Sequence, residues 1–119
     1  MKRDEDNLIL VKSKAFALRI IRLYKFLCDD KKEFVLSKQV LRSGTSIGAN
    51  AKEASLAQSK KDFQAKMFIA LKEAGETEYW LELLHESDYI ETASFESIYS
   101  DNKELIRILT SILKTSREK

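Results

Sequence analysis

The sequence predicts an all-α fold, an antiparallel up-down-up-down four-helix bundle. Three observations lead there. The 119 residues include no proline and only three glycines, four stretches repeat apolar residues every three or four positions, and short polar breaks separate them. Long helices can run unbroken in such a chain, whereas the turn chemistry of an all-β protein is missing. At 44% hydrophobic and 34% charged residues, the composition supplies one core and solvated outer faces. The length suits one domain spanning residues 1–119.

The first helix is expected from about Asn7 to Asp29, where Phe16, Ile20, Leu23 and Leu27 recur at helical spacing with Ala17, Ile21, Tyr24 and Cys28 beside them. Val11, Ala15, Leu18 and Phe26 fall on another side. This helix is therefore apolar over more of its circumference than one bundle groove covers, so it is either unusually central or meets another subunit. Asp29-Asp30-Lys31-Lys32 reads as the first loop.

A second helix begins between Glu33 and Ser37 and runs to about Gln58, with Gly44 and Gly48 inside it. Each glycine costs about 0.5–1 kcal/mol relative to alanine in a helix interior. Gly44, Gly48, Ala51 and Ser55 share one stripe, so a neighbouring helix packed close against it offsets the cost. The alternative is a break at Arg42-Ser43-Gly44-Thr45.

Ser59 is the expected N-cap of the third helix, with Asp62 in a variant of the capping-box position. Phe63, Met67, Ala70, Ala74, Thr77, Leu81 and Leu84 then step by four and three, the seam of helices packed at a shallow angle. The helix ends near Glu86 to Asp88, and Thr92 to Ser94 offer caps for a fourth, in which Phe95, Ile98, Asn102, Leu105, Leu109 and Ile112 repeat the spacing.

Charge supports the same threading. Lys31 through Lys61 holds seven bases and two acids, and Asp62 through Thr92 two bases and eight acids. A hairpin turning near Gln58-Ser59 sets Arg42 beside Glu73 and Glu76, and Lys38 beside Glu78. Exposed pairs of this kind contribute about 0–1 kcal/mol each, so they choose partners more than they hold the fold.

The run Leu41-Arg42-Ser43-Gly44-Thr45-Ser46-Ile47-Gly48-Ala49-Asn50, followed by Glu53-Ala54, Asp62-Phe63, Lys66, Ile69 to Ala74, Glu76 and Tyr79-Trp80-Leu81, resembles a known signature. It is similar to that of the small bacterial four-helix-bundle proteins encoded in intervening sequences of large-subunit ribosomal RNA genes. The resemblance covers almost the whole chain; one departure is Ala51, small where a bulkier aliphatic is usual. It implies a cytoplasmic bundle that assembles as a ring-like homopentamer without established enzymatic activity. A related accessory protein of diversity-generating retroelements shares the fold, and by analogy implies contact with a reverse transcriptase and nucleic acid through basic surface.

The residues themselves offer no convincing catalytic, metal or cofactor site. His85 is the only histidine, so Ser-His, Cys-His and multi-histidine arrangements are out of reach, and it reads as a surface or capping residue. Glu73 and Glu76 share a face but lack the Glu-x-x-His motif of carboxylate metal bundles. Arg42 to Ser46 lacks the phosphate-loop pattern. Cys28, the one cysteine, has no intramolecular disulfide partner and reads as a small hydrophobe in a reducing cytoplasm. No segment suits a membrane span or a secretory signal, and no small-molecule substrate is implied.

Net charge is only +2, so any nucleic-acid surface must be local. The candidates are Arg19, Arg22 and Lys25 of the first helix, Lys31 and Lys32 in the loop, Lys38, and Lys60-Lys61 at the next turn. Repeated around a ring, they would neutralise many phosphates; solvated or ion-paired side chains are the plainer reading. Candidates for helix packing or a subunit interface are Arg42, Gly44, Ser46, Gly48, Asn50, Ala51, Glu73 and Glu76. Gln39, Ser46, Asn50 and Glu53 form a polar stripe in which Asn50 and Ser46 are expected to hydrogen-bond across a helix or subunit boundary. The expected function is a non-enzymatic homo-oligomeric adaptor, pentameric by resemblance, presenting basic surface to RNA, DNA or a nucleic-acid enzyme. The alternative is a structural or protein-binding oligomer without nucleic-acid contact.

Overall fold

The structure, a computed structural model, describes residues 4–117. Four helices follow one another: α1 (Asp4–Asp29), α2 (Leu36–Ser55), α3 (Lys60–Glu86) and α4 (Thr92–Arg117). Each packs on its neighbours in sequence, and α4 closes the circle on α1. The backbones of the two diagonals, α1 with α3 and α2 with α4, do not approach closely, and these helices meet only through the shared core. The bundle measures 46 × 21 × 19 Å, so its two ends lie far apart.

The expected seams are the buried ones. Met67, Ala70, Ala74, Thr77, Leu81 and Leu84 of α3 face Ile98, Asn102, Leu105, Leu109 and Ile112 of α4 across a core completed by Phe16, Ile20 and Leu27 of α1 and Val40 and Ile47 of α2. Phe63 and Phe95, at the starts of their helices, are half-buried against that core. α1 starts earlier than the apolar repeat suggested, because Asp4, Glu5 and Asp6 in its first turn suit the positive end of the helix dipole. α2 stops at Ser55, short of Gln58, where the Leu56 and Ala57 amides turn back onto the Glu53 and Ala54 carbonyls.

α2 runs through both glycines without a break. A Cβ on Gly44 would stand 2.7 Å from Ile20 Cγ1, and one on Gly48 would stand 3.1 Å from the Ser13 hydroxyl and 3.4 Å from the Ser13 carbonyl oxygen. The close neighbour is therefore α1, and the contact it gains offsets the glycine cost. Ala51 continues that face and is fully buried.

Caps set the helix boundaries. The Ser59 hydroxyl accepts from the Asp62 amide, as expected, but Asp62 accepts from the Gln58 amide, one residue ahead of the usual box. Glu33 caps α2: its carboxylate accepts from the amides of Val35, Leu36 and Ser37 at 3.2, 3.0 and 2.7 Å. At the third turn His85 stacks on Phe95 with ring centroids 4.2 Å apart, and its Nε2 lies 3.1 Å from the Thr92 hydroxyl. The lone histidine thus links the end of α3 to the start of α4.

Candidate interaction surfaces

Antiparallel threading divides the candidate cations between the two ends. Arg22 and Lys25 lie on the last turns of α1, Lys31 and Lys32 in the loop after it, and Lys38 in the first turn of α2, so these five gather at one end. Lys60 and Lys61 open α3 at the other. All seven are exposed, and among the described residues none of them forms an ion pair. Lys31 Nζ rests 5.9 Å from the Phe26 ring centroid. Arg19 differs, since its guanidinium is 2.6 Å from the Asp101 carboxylate and also donates to the Ser97 hydroxyl at 3.1 Å. It belongs to the α1–α4 contact.

An open cleft of about 780 Å³ at the five-cation end lies between α1 and the α3–α4 loop, and brings Arg22 and Lys31 together with Phe26, His85 and Tyr89. Asp88 and Glu91 line it too, and exposed Asp29 and Asp30 share the loop with the two lysines. The end is rich in charge of both signs.

The packing candidates resolve into three groups. Arg42 reaches Glu73 at 3.4 Å and pairs with Glu76, as the hairpin register required. Glu76 also accepts from the Trp80 indole at 2.9 Å; that hydrogen bond and Arg42 outweigh burial and hold its carboxyl below the usual range. Gly44 and Gly48 face α1 within the subunit, and Ala51 on the same stripe is buried. Ser46 and Asn50 are satisfied inside their own helix: the Ser46 hydroxyl donates to the Arg42 carbonyl at 2.6 Å and the Asn50 amide to the Ser46 carbonyl at 2.9 Å. Within the subunit, the expected bond across a neighbouring helix is therefore replaced by back-bonding, the usual outlet for a small polar side chain in a helix. Glu53 of the same stripe pairs with Lys66 at 2.9 Å.

The Lys38–Glu78 pairing is also corrected. Glu78 sits 2.5 Å from Lys103 Nζ and accepts from the Tyr99 hydroxyl at 3.0 Å, so α4 has taken it and Lys38 stays exposed. The Lys103 bond, then that from Tyr99, lowers the Glu78 pKa against burial. Tyr99, hydrogen-bonded first to Glu82 and then to Glu78, is pushed well above its ordinary value. Reading α2 against α3 alone could not reveal the competitor from α4.

Outer faces of two helices carry apolar side chains that the core leaves unused. On α1, Val11 is 68% exposed and Leu18 49%; the excess apolar side of this helix is not covered within the subunit. α3 shows exposed Phe68 and Tyr79, and between them Gly75, whose added Cβ would meet nothing within 4 Å. Tyr79 reads in the sequence as a core or subunit contact, but Phe68 and Gly75 of this face were missed because the buried seam is so regular. The same four-and-three step, read one face round through Ala65, Phe68, Lys72, Gly75 and Tyr79, was the available signal.

Among the described residues no group of three or more histidine, cysteine, aspartate or glutamate side chains could hold a metal ion, and no helix is long and apolar enough to cross a membrane.

Comparison with known proteins places these features in a family. The profile of the 23S rRNA-intervening sequence proteins matches residues 5–111. A solved structure from Bacteroides thetaiotaomicron, a protein of unknown function from the S23 ribosomal protein family, is 58% identical to this chain, covers 92% of it and 98% of itself, and superposes with a TM-score of 0.92. Among curated proteins none matches.

Proposed function

This chain belongs to the family of 23S rRNA-intervening sequence proteins, and we propose that it is a non-enzymatic, cytoplasmic, homo-oligomeric adaptor that presents its basic end to RNA or DNA. The apolar outer face of α1 carries the reading. Val11 and Leu18 expose a helix side that a monomer gains nothing by keeping apolar, and a second copy is the economical cover for it. Five copies is what the family resemblance implies.

Assembly multiplies a modest cationic surface. Lys31, Lys32 and Lys38, with Arg22 and Lys25 adjoining, recur once per subunit on the same end of each bundle, so a ring would place many cations in one plane. A second reading, an oligomer that docks a protein, is favoured by Asp29 and Asp30 lying among those lysines, because alternating charge suits a protein surface better than a phosphate track.

Light scattering after size exclusion, with and without mixed RNA at low and high salt, tests the proposal. A stable oligomer that gains mass with RNA only at low salt is expected. Replacing Lys31, Lys32 and Lys38 with glutamate should remove the gain and leave the assembly intact. An oligomer indifferent to RNA would favour the protein-docking reading, and a monomer would overturn both.

A further inference from the structure

We infer that the outer faces of α1 and α3 are the two halves of one head-to-tail interface, with α1 of each copy lying parallel to, and level with, α3 of the next. This rests on the oligomeric reading above and specifies its surface. Because α1 and α3 occupy diagonal corners, their outward faces look away from each other, and one subunit cannot bring them together. Two different faces of one protein make a heterologous contact, which generates a ring where the faces are inclined enough for the rotation to close.

Each face is a regular seam opposite the core. On α1, exposed Leu8, Val11, Ala15, Leu18, Arg22 and Lys25 step by three and four; on α3, Ala65, Phe68, Lys72, Gly75, Tyr79 and Glu82 take matching steps. Heights within the subunit come from its own contacts. Arg19 reaches Asp101, and the neighbouring Asn102 donates to the Ala74 carbonyl, so α1 near residue 19 stands level with α3 near residue 75. The α2 side agrees: Gly44 lies against Ile20, and the adjacent Ser43 is bonded to Thr77.

A closed ring whose axis runs along the bundles permits no rise between copies, so residues at equal height must suit one another. They do, at one constant offset. Leu18 meets Gly75, whose outer side is open for it. Leu8 meets Ala65 and Val11 meets Phe68. Arg22 meets the face of Tyr79, a cation–π arrangement, and Lys25 stands at the height of Glu82, whose carboxylate also accepts from Tyr99 of its own subunit. One step beyond the apolar part, Asp4 meets Lys61. Lys72 opposite Ala15 lays its stem along Phe68, with Nζ 5.9 Å from that ring centroid. The arrangement also accounts for a glycine that the subunit fold does not use: Gly75 is exposed in mid-helix and touches nothing that needs it small. Arg22 and Lys25 are then occupied between copies, leaving Lys31, Lys32 and Lys38 as the free cations of that end.

Cysteine cross-linking tests the pairing. In a Cys28→Ser background, Leu18→Cys and Gly75→Cys are made separately, unfolded together in urea, refolded as a mixture so that subunits assemble at random, and then oxidised with diamide. The expected product is a dimer of twice the subunit mass carrying an 18–75 disulfide, formed in the mixture and in neither variant alone. Gly75→Arg, which meets nothing in its own subunit, should keep the helical signal and shift the assembly to monomer mass. An oligomer that forms no 18–75 disulfide, that cross-links Leu18→Cys to itself, or that tolerates Gly75→Arg would overturn this interface while leaving the oligomeric reading standing. A wild-type chain that is monomeric at every concentration would overturn both.

Discussion

At Gly44 a hydrogen occupies the place where a methyl would lie 2.7 Å from Ile20 Cγ1 and 2.9 Å from Cγ2, atoms next to a branch point that cannot swing aside. Gly44→Ala should therefore lower stability by about 1–3 kcal/mol through overpacking, despite alanine's better helix propensity, seen as a lower urea midpoint at unchanged slope. Asn102 poses the opposite problem. It is fully buried, its amide donates to the Ala74 carbonyl at 2.9 Å, and its Oδ1 has no hydrogen-bond partner among the described residues. Asn102→Leu should match or exceed wild type by about 1 kcal/mol in thermal unfolding, because it removes an unpaired buried acceptor. The two residues differ in legibility. Gly44 shares its stripe with other small residues and so leaves a periodic trace, whereas the missing partner of Asn102 depends on how α3 and α4 sit, which no spacing records.

Glu33 decides where α2 begins, by accepting from three amides that the helix cannot pair itself. Burial alone would raise its pKa, but the bonds from Leu36, Ser37 and Val35 win and bring it below the ordinary value of 4.5. The stability it contributes is present above the unfolded value and is lost as pH falls through the folded one; Glu76 and Glu78, also lowered, act with the same sign. Glu33→Ala should cost about 1 kcal/mol at neutral pH and show a shallower loss of stability below pH 4.5, followed by circular dichroism across an acid series. Element existence was plain from periodicity, and α3 fell within its expected bounds. Starts and stops were less so, because a glutamate cap lies outside the helix it serves and looks in sequence like any loop acid.

Over the whole molecule, the charge asymmetry between α2 and α3 correctly placed Arg42 on Glu73 and Glu76, since adjacent helices in a hairpin share one register. It failed for Lys38 because Glu78 has a second neighbour in Lys103, and only the closed circle of helices shows that competition. The excess apolar side of α1 was legible; on α3 only Tyr79 was read as a core or subunit contact, and its neighbours Phe68 and Gly75 were not, since an exposed phenylalanine beside a perfect core seam draws no notice. At this scale, replacing Leu18 with glutamate should leave the subunit's melting temperature within a few degrees in dilute solution, because Leu18 is half exposed, while reducing the mass of the assembly by light scattering.

The circle of helices has three covalent links and one gap, between α4 and α1, and polar side chains close that gap along its length. Lys12 holds Glu104 at 3.2 Å, Arg19 holds Asp101, and the Ser111 hydroxyl donates to Glu5 at 2.5 Å. Residues 4 and 117 consequently come to rest at one end of the bundle, and the order of the helices around the circle has no structural starting point. The chain could be cut at Lys31-Lys32 and rejoined from Arg117 to Asp4 by a flexible linker, and the same four walls would still enclose the same core.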